Sequence, residues 1–230
     1  ESTSLFKDNQ KVILGLRYES FRAEANEATA AGTPSAIYRN TYQDYSGETK
    51  TSKDGLNMLA RYERVYDNGI NLYAGLSRTH RFADATELYI VKGGTWVGNP
   101  DLDPEQHNQF DLGLSGKVDK LDWSTSVFYD RVHNYILRDK AANQADVNGT
   151  GEVYVNKNAT LRGLEASVNY QASNHIDVGA NITTLKGTND TDSRNLSNIA
   201  PISGNLNAIY TAKNWDAGAR WNFADNQTMV

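Results

Sequence analysis

Four histidines, His80, His107, His133 and His175, and two methionines, Met58 and Met229, are the side chains best suited to hold a metal. Imidazole suits copper, and a thioether suits Cu(I). Cysteine is absent, so thiolate sites and disulfide frames are excluded. Two methionines are too few for a methionine-rich site, which leaves the imidazoles. His80 and His133 stand where alternating segments meet long polar stretches, within reach of a captured metal, and they are the candidate ligands. The competing reading is an ordinary loop or interface histidine. His107 lies beside a proline-rich segment and His175 in a short turn.

Other chemistries find less support. Asn189-Asp190-Thr191-Asp192-Ser193 faintly resembles a calcium loop but lacks the glycine and distal glutamate of an EF-hand, so a solvated turn is expected. Glycosylation triplets occur at Asn148, Asn181 and Asn195, yet Asn181 falls inside an alternating run, as chance matches do in an Asn- and Thr-rich chain. No Ser/His/Asp set, phosphate loop or carboxylate pair has a spacing that suggests catalysis. No catalytic residue and no intrinsic cofactor are expected.

The elements that must position these side chains are strands. The chain has 230 residues, a net charge of −5 and a pI near 5.4, which argues against a nucleic-acid partner. No apolar run reaches the roughly 18 residues of a transmembrane helix, and no charged-then-apolar leader opens the chain. Period-two alternation recurs instead. Leu56, Met58, Ala60 and Tyr62 alternate with Asn57, Leu59, Arg61 and Glu63; Leu121, Trp123, Thr125, Val127 and Tyr129 alternate with Asp122, Ser124, Ser126, Phe128 and Asp130. About nine such runs are present, most near the 9–11 residues that a tilted bilayer crossing requires. A mean hydropathy of −0.63 is compatible with this, because only alternate residues of a barrel strand meet lipid.

The connections decide the class. Short turns around Asp67-Asn68-Gly69, Val118-Asp119-Lys120, Ser173-Asn174-His175 and Lys213-Asn214 alternate with long polar connections near 23–54, 80–105, 138–158 and 186–200. Short periplasmic turns and long extracellular loops are the outer-membrane pattern. A soluble sheet with one wet face is the alternative, and it predicts no such regularity. On the barrel reading, Tyr66, Tyr170, Tyr210 and Trp215 fall at the periplasmic interface. Asp111, Glu165, Asp177, Asp216 and Arg220 face the lumen. Nine is odd and single-chain bacterial barrels close on even numbers, so the expectation is part of a larger wall.

Several segments carry a resemblance. Asn99 to Glu105, reading NPDLDPE, resembles the NPxLxPE motif of TonB-dependent outer-membrane receptors, with Asn99, Pro100, Leu102, Pro104 and Glu105 at the matching positions. RFADATELY, from Arg81 to Tyr89, is similar to the family's RAPxxxELY segment, except that Ala83 replaces the usual proline. Phe128-Tyr129 through Tyr135-Ile136 resembles a further strand. NKNATLRGLE, from Asn156 to Glu165, resembles another, with Gly163 and Glu165 at the matching positions. Pro201, NLNAIY and NWDAGAR are similar to a later hairpin. The resemblance implies an all-β, antiparallel transmembrane β-barrel of about 22 strands around a globular plug. Residues 1–230 would then be part of one barrel domain, without plug or C-terminal strands. It further implies active import through the outer membrane of a Gram-negative bacterium. The implied partners are outer-membrane lipid, the receptor's own plug and the TonB energy-transducing complex, and no nucleic acid. DATELY, WVGNPDL and VHNYILRD are most similar to the copper-receptor branch, making copper the expected cargo. A ferric chelate (siderophore) receptor and a passive porin-like barrel are the alternatives.

Overall fold

The computed structural model describes residues 2–7, 9–25, 50–92, 96–140 and 152–226. Met229 and the triplet at Asn148 lie outside them. Ten strands follow one another in a single antiparallel sheet. They are β1 (Ser2–Lys7), β2 (Gln10–Glu24), β3 (Lys50–Val65), β4 (Asn71–Arg81), β7 (Glu105–Val118), β8 (Leu121–Lys140), β9 (Glu152–Gln171), β10 (Ile176–Asn189), β12 (Ser203–Thr211) and β13 (Asp216–Ala224). Between β4 and β7 lie a short helix α1 (Ala85–Tyr89) and two-residue strands β5 (Val91–Lys92) and β6 (Trp96–Val97); β11 (Arg194–Asn195) pairs with β10. All long neighbours pair antiparallel in chain order, while the short β6 pairs with β5 and, in parallel, with β9.

The register puts the alternating apolar residues on one face. Leu76 lies opposite Phe110, Phe110 opposite Tyr129, and Val127 opposite Leu164, while Ala180 meets Leu206 and Leu206 meets Trp221. This face is not packed against protein: Leu16 is 69% exposed, Leu76 63% and Trp221 63%. An apolar surface this continuous, on a sheet with a polar opposite face, is the pattern of a wall solvated by lipid. Its upper border is sharp. Tyr18, Leu56, Leu76, Phe110, Tyr129 and Leu164 are followed two residues further toward the long-loop end by Ser20, Asp54, Arg78, Asn108, Arg131 and Arg162. Leu16, Met58, Arg78 and Asn108 share one hydrogen-bonded row, so the border climbs obliquely across the rows, as strands tilted to the membrane normal require. At the opposite end are the tight turns, one with Gly69 at φ 80°, and Tyr210 packs against Trp215 with ring centroids 5.3 Å apart.

Three expectations need correction. There are ten principal strands rather than about nine; β1 escaped because Leu5 and Phe6 are adjacent and break the alternation. Strands β8 and β9 run 20 residues each, well beyond a bilayer crossing, so the long connections start later than 138 and 186. Helix α1 sits in what the alternation left as a loop, started by Asp84, whose side chain accepts from Glu87 N–H while Glu87 caps Asp84 N–H in return. The buried clusters are small and gathered at the long-loop end: Ala83, Leu88, Leu102 and Ile136 form one, and Val132, Ala159, Leu196 and Ile199 the other.

Candidate functional site

The chemistry of the long-loop end begins with polar residues on the non-lipid face, at odd positions on β4 and β7 and even positions on β8. Arg81 closes β4 opposite Glu105, the first residue of β7. Its Nε and Nη2 donate to the two Glu105 oxygens at 2.7 Å each, a bidentate pair, and Nη1 reaches Glu87 of α1 at 3.0 Å. Glu105 is 2% exposed and also accepts the Ile136 N–H at 2.7 Å. His107 donates from Nε2 to Glu105 at 3.1 Å and from Nδ1 to buried Asp130 at 2.6 Å. Five charged side chains from β4, α1, β7 and β8 thus form one chain of ion pairs.

All of it lies above Phe110, the last apolar residue of β7, and therefore outside the lipid band. Asp130 foremost, then Glu105, raise the His107 pKa to about 9, so the imidazole is a cation with both nitrogens protonated. Burial alone would push the Glu105 carboxyl up; the hydrogen bonds from Arg81, His107 and Ile136 outweigh it and hold it at about 2. The Arg81 guanidinium is raised, chiefly by its bonds to Glu105.

This ion-pair chain clamps the connection that folds over the rim. Leu102 is buried with Leu88 and Ile136, and Pro100 is buried beside it. Asn99 donates to Tyr154 C=O at 3.1 Å and accepts Asp101 N–H at 2.9 Å, fixing the turn before Pro104. Asn156 accepts Asp103 N–H and donates to Asp103 C=O, so the NPxLxPE-like segment is sewn to β9 from both sides. A Cβ on Gly98 would stand 2.5 Å from Tyr89 N, and only glycine admits this approach. Gly163 fills a similar role on β9, where a Cβ would stand 2.3 Å from the Phe128 ring. Glu165 lies farther down β9, exposed on the non-lipid face.

His80 and His133 are brought together on a different surface. Both line an open depression of about 480 Å3 with Asp54, Asp103, Pro104 and Gln106. His80 Nδ1 donates to Asn57 Oδ1 at 3.1 Å, and the same oxygen accepts the His80 backbone N–H. Among the described residues no group of three or more His, Asp or Glu closes on a metal-sized point. Met58 faces the lipid side and contributes no thioether to the rim. His175 is in the tight-turn end, its Nδ1 donating to Thr211 C=O at 2.9 Å. In the loop that resembled a calcium site, Asp190 accepts from Thr160, and Asp192 pairs with Lys157 and accepts from Asn189. Those carboxylates are already satisfied, as a plain turn requires. The His107–Asp130 link has a weaker signal in the sequence: charges on the non-lipid face of three neighbouring strands, at odd positions on β4 and β7 and an even one on β8.

The family model described as "TonB dependent receptor-like, beta-barrel" matches residues 4–229. The chain belongs to this family. TonB-dependent receptors are outer-membrane transport receptors rather than enzymes. An uncharacterized TonB-dependent receptor of Haemophilus influenzae is 24% identical over 225 residues, covering 95% of this chain and 58% of that protein. A metal-pseudopaline receptor, CntO, of Pseudomonas aeruginosa is 23% identical over 228 residues, covering 95% of this chain and 29% of its own. The chain therefore spans between about three-tenths and three-fifths of these relatives' lengths. Among solved structures, the copper transporter OprC superposes with a TM-score of 0.82 at 25% identity, over 99% of this chain and 34% of that one. The siderophore receptor PirA of Pseudomonas aeruginosa shares the fold with a TM-score of 0.64 at 12% identity, over 95% of this chain and 35% of that one.

Proposed function

We propose that this chain is wall and extracellular rim of a TonB-dependent receptor that imports a metal ion across the outer membrane, with copper as cargo. The observation that carries the choice of copper is the fit to the copper transporter, 0.82 in TM-score against 0.64 for the siderophore receptor. In this reading residues 1–230 belong to one barrel domain. A plug and the TonB complex supply gating and energy, and this chain supplies wall and loops rather than the energy-coupling contact. His80 and His133 are the imidazoles available for capture. His80, with its Nδ1 engaged by Asn57 and with Asp54 and Asp103 lining the same depression, suits a transient encounter rather than a closed coordination shell. The Arg81–Glu105–His107–Asp130 chain serves as the frame that holds the rim in shape.

A second reading, import of a metal–chelate complex, draws support from the similarity to the metal-pseudopaline receptor. Deleting the gene and following uptake of radioactive copper and of ferric chelates separates the two. Loss of copper accumulation with chelate uptake intact supports the first. Loss of chelate uptake alone supports the second, and equal loss of both removes the case for copper.

A further inference from the structure

Immediately above the lipid-facing apolar band, the outward face of the sheet carries Arg78 on β4, Arg131 on β8, Arg162 on β9 and Lys186 on β10. All four are exposed. On β4, β8 and β9 the arginine is the first polar residue beyond the band; on β10, Thr184 intervenes before Lys186. Between β4 and β8 the same position on β7 is Asn108, whose Oδ1 accepts from Arg78 Nε at 2.9 Å. The cations are close. Arg162 lies directly opposite Lys186, and Arg131 is the diagonal neighbour of Arg162, because Arg131 pairs with Thr160 and Arg162 with Tyr129. Four inter-strand steps of about 4.8 Å place the whole line within roughly 19 Å.

Among the described residues none of the four forms a salt bridge, although Arg17, Arg61, Arg81, Arg138 and Arg194 all do. Like charges directly opposite one another destabilise a sheet. In a chain of net charge −5, four exposed cations without a carboxylate partner, set in one line along the membrane border, suit an anion from outside the protein. Just below it, Met58, Ala60, Leu76, Phe110 and Tyr129 line an open, mostly apolar groove of about 450 Å3, with Arg78 at its upper end. A groove for hydrocarbon under a row of cations fits a molecule with acyl chains below and phosphate above.

We propose that Arg78, Arg131, Arg162 and Lys186 form a docking line for a phosphate-bearing lipid of the extracellular leaflet, with an acyl chain in the Met58–Phe110 groove. The proposal rests on the reading of this face as lipid-facing and of the long connections as extracellular. The line anchors the wall at a fixed depth and supplies the counter-charge that the sheet lacks. Each cation adds to the attraction, so removing all four weakens binding about a hundredfold at moderate salt.

The test uses the full receptor extracted from outer membranes in uncharged detergent, titrated with bis-phosphorylated lipid A, with its dephosphorylated form and with inorganic phosphate. Tight binding of the phosphorylated lipid alone, lost in Arg78→Gln/Arg131→Gln/Arg162→Gln/Lys186→Gln and largely kept in Arg78→Lys/Arg131→Lys/Arg162→Lys, is the expected result. Equal binding of the dephosphorylated lipid, inorganic phosphate binding as tightly as the lipid, or unchanged binding by the glutamine variant would overturn it. Should the glutamine variant fail to assemble, the charge-keeping lysine variant still decides: loss of its lipid binding counts against a charge-based site. Failure to recover the wild-type protein from outer membranes would sink the functional reading. Recovery without phosphate-dependent binding would sink only this site.

Discussion

Replacing Glu105 by glutamine is the sharpest perturbation of the rim, because it keeps shape and removes charge. The carboxylate accepts four hydrogen bonds, two from Arg81, one from His107 and one from Ile136 N–H, and it is 2% exposed. Breaking a buried ion pair from one side costs about 3–5 kcal/mol. The Arg81 side chain is 43% exposed and keeps Glu87, so the lower end applies, about 3 kcal/mol. The loss falls on the clamp over residues 84–104 rather than on the ten-stranded ladder, so local opening is the observable. Three kcal/mol corresponds to about a hundredfold loss of amide protection. Hydrogen exchange read by mass spectrometry on peptides from 84–104, with peptides from β12 and β13 as internal controls, measures it. Glu105→Ala should lose more, because Ile136 N–H is then buried without a partner, a further cost of about 1–3 kcal/mol. Protection of 84–104 within threefold of wild type in Glu105→Gln would refute the keystone role. So would Glu105→Gln and Arg81→Met effects that simply add.

The same peptides should report pH. His107, raised to about 9 from 6.5, contributes fully below 6.5 and loses its contribution as pH climbs through 9; Glu105, lowered to about 2 from 4.5, contributes fully above 4.5 and loses it as pH falls through 2. Protection corrected for intrinsic exchange is therefore highest between pH 4.5 and 6.5, and a flat profile from 6.5 to 9.5 would contradict the pairing. Gly98→Ala meets backbone at 2.5 Å and should unseat the 84–104 connection, with raised protease sensitivity there and a wall that still assembles. Gly163→Ala should cost about 1–3 kcal/mol in thermal stability and be only partly rescued by Phe128→Leu, since the Cβ meets that ring at 2.3 Å and also the Thr184 C=O at 2.9 Å. His80→Ala with His133→Ala should slow copper uptake at limiting copper with the outer-membrane level unchanged; unaltered uptake would remove these two from the capture step.

How much of this was legible depends on the range of the interaction. Alternation on β3, β7, β8 and β9 is a one-strand property, and so were the faces on which Leu76, Phe110, Tyr129 and Trp221 lie. Tight turns such as Asp67-Asn68-Gly69 carry their own chemistry, and the strict alternation of loop lengths ordered the strands. The motif positions Arg81 and Glu105 were visible, but their pairing was not: 24 residues separate them, and only the β4–β7 register brings them opposite one another. His107 and Asp130 meet through the β7–β8 register in the same way. Helix α1 did have a local signal, Asp84 three residues before Glu87, which short length and surrounding strand patterns obscured. The cationic line needed both register and the border of the apolar face, neither of which one strand reveals.

The central claim is a transmembrane wall whose long connections face the outside of the cell. Because residues 1–230 hold no cysteine, single-cysteine labelling in intact cells with a membrane-impermeant maleimide, read against the receptor without the added cysteine, tests it. Asp103→Cys, at the rim beside Lys53, should label in intact cells, while Asn174→Cys, in the turn between β9 and β10, should label only after the outer membrane is permeabilised. Labelling of Asn174→Cys but not Asp103→Cys in intact cells would invert the wall. Free labelling of both in a soluble periplasmic fraction would contradict the membrane-spanning account altogether.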